Sequence, residues 1–203
     1  MVAHMVASLF SLFFLLESVK THGLDDTPIV ITDIDKHTAS DLQLAALMNR
    51  RVILDSGGGT VAGGMAARDV IKTHNIPLHV ETCLSACTFL MSASPQVEIA
   101  TSARVGVHFA HKHIGEQRVL FLWEDTRTIW NTLTGQDTLF ETYVNHMVDR
   151  RFFTTPPQED FVLIEDHMFS IPTLASYWFL TPDDIITHFT TTQFVFQTTP
   201  EDA

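Results

Sequence analysis

Three short stretches of this 203-residue chain carry residue types that can do covalent chemistry. Ser85 sits inside Thr82-Cys-Leu-Ser-Ala-Cys-Thr88, His108 closes Arg104-Val-Gly-Val-His108, and three glycines run together in Asp55-Ser-Gly-Gly-Gly59. A serine hydroxyl is a weak nucleophile until a nearby base takes its proton, and histidine is the commonest such base. Glycine lets backbone N–H groups come close to a substrate oxygen and hold its developing charge. A serine that opens a helix also stands at the positive end of the helix dipole. Taken together, the three stretches describe acyl transfer. Each also has an ordinary use: Ser85 as a helix N-cap, His108 as a strand-end surface residue, and the glycines as a tight turn.

Other chemistries fit these residues less well. The glycine run lacks the Lys-Ser/Thr pair of a phosphate loop, and Gly57-Gly-Gly59 does not make Gly-x-Gly-x-x-Gly, although Gly63 and Gly64 lie downstream. The two cysteines, Cys83 and Cys87, are four positions apart. A disulfide between them is geometrically allowed, and in an oxidising compartment it would clamp the serine turn. Joined with His108, His111 and His113 they would form a metal set, but that is not a standard zinc spacing. No metal and no cofactor are expected. A cysteine nucleophile is the remaining use of the pair.

To act together the three stretches need elements that bring them to one place. Pro28 to Ile34 and Arg51 to Asp55 read as strands, and an amphipathic helix lies between them from Leu42 to Met48. The glycines break the second strand, and a helix runs from Val61 to Lys72. Leu78 to Thr82 is a third strand, Cys83 to Cys87 a turn, and Ala86 to Ala93 a helix of small residues. Val97 to Ala100 and Arg104 to His108 read as two further short strands. Strands alternating with helices imply βαβ units on a mainly parallel sheet, that is, an α/β fold. In such sheets ligands bind at the carboxyl ends of the strands, where His108 falls. Val119 to Val148 reads as helical, split near Thr134-Gly135, and Thr154 to Pro157 as a loop. Phe161 to Phe196 mixes a helix with short extended runs. The aromatics from Phe121 to Trp130 suit either an interface or the core.

In its order of strand, glycine turn, helix, strand, serine turn, helix, strand and histidine, the segment from Val52 to His108 resembles the Clp-type serine proteases and their relatives, which include signal peptide peptidases and crotonases. Leu54-Asp-Ser-Gly-Gly-Gly59 is similar to that family's Ser-Pro-Gly-Gly turn, with Gly57 in place of proline. Phe179-Leu-Thr-Pro-Asp-Asp184 resembles the family's Phe-Leu-Ser/Thr segment. The likeness is closest to a poorly characterised exported branch with a Cys-x-Ser-Ala-Cys turn. It implies a ClpP/crotonase-like spiral of βαβ units with a C-terminal helical part. It implies Ser85 as nucleophile, His108 as general base, and the N–H groups of Gly59 and Ala86 as the oxyanion hole. The family's acid lies two residues before the Phe-Leu pair, where this chain has Tyr177. Glu165 or Asp166 would have to reach the histidine from elsewhere, or Tyr177 would orient it. The resemblance also implies a homo-oligomer.

Composition narrows the partners. With 24 acidic against 12 basic residues, the net charge of −12 argues against broad contact with nucleic-acid phosphates or anionic lipid. The 11 histidines are scattered, so most are ordinary surface or core residues. The apolar run from Val6 to Leu16 is too short to span a bilayer, which takes about 20 residues. It suits the core of a secretory signal peptide or an anchor. Residues 1–23 are therefore read as leader or anchor and 24–203 as one domain. The protein is expected to be exported, either periplasmic or associated with the membrane through its N-terminus. Its expected function is that of a serine hydrolase acting on peptide or protein. A catalytically inactive relative that binds a peptide or protein is the alternative, and a thioester enzyme that needs only the oxyanion hole is a third reading.

Overall fold

The computed structural model describes residues 27–108, 110–114, 117–120, 123–134, 138–149, 161–164, 167–170, 177–190 and 192–197. The leader reading, the loop at 154–157, Glu165 and Asp166 lie outside these residues.

The chain begins β1 (Ile29–Ile31), α1 (Thr38–Leu47), β2 (Val52–Ser56), α2 (Val61–His74) and β3 (Leu78–Leu84). A 3-10 turn (Ser85–Cys87), α3 (Thr88–Ala93) and β4 (Gln96–Val107) come after it. Next are the hairpin of β5 (His111–Ile114) and β6 (Gln117–Leu120), the helices α4 (Trp123–Thr134) and α5 (Thr138–Asp149), and the hairpin of β7 (Phe161–Ile164) and β8 (His167–Ser170). The described chain ends with β9 (Trp178–Phe179), α6 (Pro182–His188) and β10 (Gln193–Phe196).

The main sheet has the order β1-β2-β3-β4-β10, every neighbouring pair parallel, with β9 added antiparallel to β4. This is the expected α/β fold on a mainly parallel sheet. Its strands alternate: β2 buries Val52, Leu54 and Ser56, while Asp55 between them is exposed. Both α1 and α2 bury one stripe each, Thr38, Leu42 and Ala45 in one and Gly63, Gly64, Ala67 and Ile71 in the other. The short α3 is buried at Thr88, Phe89, Leu90, Met91 and Ser92, so it runs through the core. Burying a side chain the size of Leu90 or Met91 contributes about 1.5–3 kcal/mol. Among the described residues no helix is long and apolar enough to cross a membrane.

Several boundaries differ from the sequence reading. The two strands placed at Val97 to Ala100 and Arg104 to His108 are one strand, Gln96–Val107. Its pairing with β3 jumps from Val80↔Ile99 to Thr82↔Arg104, so an irregularity in register reads as a gap in sequence. β3 continues through Cys83 because that residue pairs with Ser56 on one side and Val105 on the other. The helix expected from Val119 starts at Trp123, since residues up to Leu120 pair with β5 in a hairpin. The split near residue 134 is observed. Of the aromatics between Phe121 and Trp130, Trp130 is a core residue, meeting Phe140 and Tyr143 edge-on.

Candidate active site

β2, β3 and β4 end side by side, and the site is built from the residues just beyond their carboxyl ends. Past Ser56 the chain turns through Gly57, Gly58 and Gly59. The Ser56 hydroxyl accepts the Gly58 N–H at 3.1 Å. Gly58 has φ +109° and Gly59 φ +152°, which side chains other than hydrogen rarely tolerate. A Cβ on Gly58 would lie 2.7 Å from the Ser85 Cβ, so the glycine is what allows the two turns to touch. Ile34 donates to the Gly58 carbonyl at 2.9 Å and accepts from the Thr60 N–H at 2.7 Å. Those two bonds form a parallel bridge, which turns the N–H of Gly59 away from Ile34. Thr60 then caps α2 by accepting the Gly63 N–H at 3.0 Å.

Ser85 comes directly after the last residue of β3 with φ +55°, a left-handed conformation in a residue that is neither Gly nor Asn. Such a residue costs about 1–2 kcal/mol and persists where its surroundings over-determine it. Two restraints are visible. Thr88 donates its hydroxyl to the Ser85 carbonyl at 2.7 Å, and its N–H also turns back to the Ser85 and Ala86 carbonyls. Cys83 and Cys87 are joined in a disulfide with Cα atoms 5.2 Å apart, closing the turn around Ser85. On the chain-entropy account, closing so short a loop is worth roughly 2 kcal/mol. That is the same order as the cost of the serine's conformation.

The N-cap use of Ser85 is not what the structure shows. Leu84 caps the 3-10 turn, Cys87 caps α3, and neither makes a side-chain cap bond. The Ser85 hydroxyl meets the histidine instead: Oγ lies 2.7 Å from His108 Nε2. Register explains the meeting. Leu84 pairs with Gly106, so Ser85 comes level with Val107, and His108 follows one residue further on, within reach of it. Both side chains are half-buried, open enough to meet a substrate.

Tyr177 stands beside the histidine. Trp178 pairs antiparallel with Val107, which brings the residue before it beside His108. The two rings meet edge to face, centroids 4.8 Å apart. The Tyr177 hydroxyl donates to the Gly57 carbonyl at 3.2 Å. One side chain therefore touches both the histidine and the glycine turn. Next along β9, Phe179 is exposed and carries the Arg104 guanidinium over its ring at 4.6 Å. Ala86, second in the 3-10 turn, is buried.

Sequence reasoning alone misses Gly58 and Thr88. The glycine carries one signal, its place in the middle of the run. The threonine carries another, its position three residues beyond Ser85, one turn away. The metal set does not assemble, because Cys83 and Cys87 are bonded to each other. His111 and His113 lie on β5, away in sequence from the serine turn.

No protein-family model matches this chain, and no curated protein matches it. Solved structures are similar in shape at low identity. A serine-to-alanine mutant of the membrane-bound stomatin-specific protease 1510-N has a TM-score of 0.48 and 14% identity, covering 87% of this chain and 83% of its own. ClpP1 from Listeria monocytogenes has a TM-score of 0.48 and 11% identity, covering 86% and 94%. A second 1510-N mutant, solved in complex with a substrate peptide, has a TM-score of 0.45 and 13% identity, covering 87% and 94%.

Proposed function

We propose that this protein is a serine hydrolase that cleaves peptide bonds in peptide or protein substrates. The observation that carries the reading is the 2.7 Å contact between Ser85 Oγ and His108 Nε2, made by a serine held at φ +55°. With the imidazole proton on Nδ1, Nε2 accepts the hydroxyl proton as Oγ bonds to the carbonyl carbon. The N–H groups of Gly59 and Ala86 hold the oxyanion that forms. The imidazolium then gives its proton to the leaving amine as the C–N bond breaks, and water releases the acyl group by the same route in reverse. Losing one oxyanion donor typically costs about 10²–10³ in turnover.

Tyr177 orients the histidine in this scheme through its ring, and ties that ring to the glycine turn through its hydroxyl. The exposed Phe179 with Arg104 beside it offers a substrate side chain an apolar and a cationic contact. A disulfide in the serine turn supports an exported, oxidising location, periplasmic or at a membrane through the N-terminus. The net charge of −12 speaks against a nucleic-acid substrate. The working form in this proposal is a homo-oligomer.

The test is labelling of the full chain by a fluorophosphonate probe beside Ser85→Ala and His108→Ala. Labelling that disappears in both variants supports the hydrolase. Absence of labelling in a folded wild-type chain overturns it and leaves a peptide-binding role for the fold.

A further inference from the structure

Ser85 sits at the midpoint of the turn that the Cys83–Cys87 disulfide closes. Both ends of that bridge are held in packed elements. Cys83 is locked between β2 and β4, opposite Ser56 and Val105. Cys87 leads into the buried helix α3, and both cysteines are 0% exposed. The serine between them is half-buried and holds a conformation its own side chain does not favour. Unbonded sulfurs must separate to van der Waals contact. A packed interior offers no free volume for that movement. The sheet and α3 hold the outer sides of both cysteines, so the connecting turn takes up the displacement. Its midpoint is the half-buried Ser85, and the 2.7 Å contact to His108 is what a shift there would break.

We propose that the Cys83–Cys87 disulfide is a positioning device for Ser85 that makes its reactivity conditional on redox state: the oxidised protein reacts, the reduced protein does not. The proposal rests on the reading of Ser85 as the nucleophile. In the reduction step a dithiol gives up two electrons and two protons and becomes a cyclic disulfide, while Cys83 and Cys87 become thiols. Thr88, which holds the Ser85 carbonyl, keeps the turn folded but does not set where the two cysteines stand.

The experiment compares the full chain oxidised, reduced by a dithiol, and re-oxidised, together with Cys83→Ala/Cys87→Ala. Thiol content is confirmed by the mass gained on alkylation after denaturation. The rate of fluorophosphonate labelling is expected to fall about 10²-fold on reduction, the usual consequence of misplacing a reacting atom by about 1 Å. It should recover on re-oxidation and stay low in the alanine pair, with far-ultraviolet circular dichroism unchanged. Should the alanine pair not fold, the reduced wild type decides, because it keeps every side-chain volume. Equal labelling rates in the two redox forms would overturn the proposal, and so would unfolding on reduction. If the oxidised chain does not label at all, it is the nucleophile reading that fails. The clamp is then read from the His108 imidazole resonances by NMR. A shift on reduction upholds it, and identical spectra overturn it.

Discussion

Left-handed backbone occurs at both ends of the parallel strands, but on different residues and for different reasons. At the amino ends it falls on Asn49 and Asn75, with φ +51° and +52°. Asn49 closes α1 while the Arg50 N–H returns to the Ala45 carbonyl, and Asn75 closes α2 while the Ile76 N–H returns to Ile71. These are ordinary helix stops on a residue type that tolerates them. At the carboxyl ends it falls on Gly58, Gly59 and Ser85. Serine has no such tolerance, and a covalent bridge closes the turn that contains it. The polar groups differ in the same way. Near the amino ends, Glu98 is surrounded: it accepts from Gln197 at 2.6 Å, from His79 at 3.2 Å and from Arg51 at 3.4 Å. The Ser85–His108 contact is half-buried. Strained backbone at one end, and satisfied bonding at the other, is the distribution expected of a reactive end and a structural end.

Substitutions at the two ends should separate these roles. The largest effect is expected from Ser85→Gly and Ser85→Ala, both of which abolish labelling, a loss of at least about 10³-fold. The pair differs in stability. Glycine accepts φ +55° freely, so Ser85→Gly should melt above Ser85→Ala, by about 2–4 °C for 1 kcal/mol of relieved strain. Equal melting temperatures would show that the serine is not strained and would break the comparison.

Next in size is Gly58→Ala. The added methyl meets the Ser85 Cβ at 2.7 Å, so labelling should fall about 10²-fold. Asn75→Ala, at the other end, should leave labelling unchanged and cost about 1 kcal/mol in urea unfolding. Comparable loss of labelling in both would remove the distinction.

Tyr177→Phe keeps the ring on His108 and deletes the bond to the Gly57 carbonyl. One neutral hydrogen bond is worth about 1 kcal/mol, so labelling should slow about fivefold. Tyr177→Ala, which also removes the ring, should slow it further.

The smallest effects are in acid stability. Burial holds His188 below the ordinary histidine range, against the opposing pull of Asp184. The unfolded chain therefore takes up this proton first, and stability declines as pH falls below about 6.5, the unfolded histidine value. Glu98 is held below the usual carboxylate range, first by the Gln197 amide and then by His79. Its contribution is present above the unfolded value and lost as pH falls through the folded one. His188→Gln should flatten the first decline and Glu98→Gln the second. Melting curves from pH 7 to pH 3 would show whether the two limbs move separately.

Residue types and short-range patterns make much of the molecule readable. Alternating strands and helices point to an α/β fold with a mainly parallel sheet, because hydrophobic period and glycine punctuation are local properties. The three stretches with chemical potential are visible for the same reason: a serine turn, a strand-end histidine and a run of three glycines are local patterns. Elements whose shape depends on distant partners are less legible. β4 reads as two strands because its register with β3 is irregular, and the end of β6 from Val119 reads as helix because its partner β5 is what makes it a strand. The contact of Oγ with Nε2 comes from the Leu84↔Gly106 register. The role of Gly58 comes from two loops meeting, and the place of Tyr177 from β9 pairing with β4. By itself, then, the chain determined which residues could do chemistry and which elements would carry them. The tertiary structure alone decided which atoms meet, because strand register and loop approach join positions far apart in sequence.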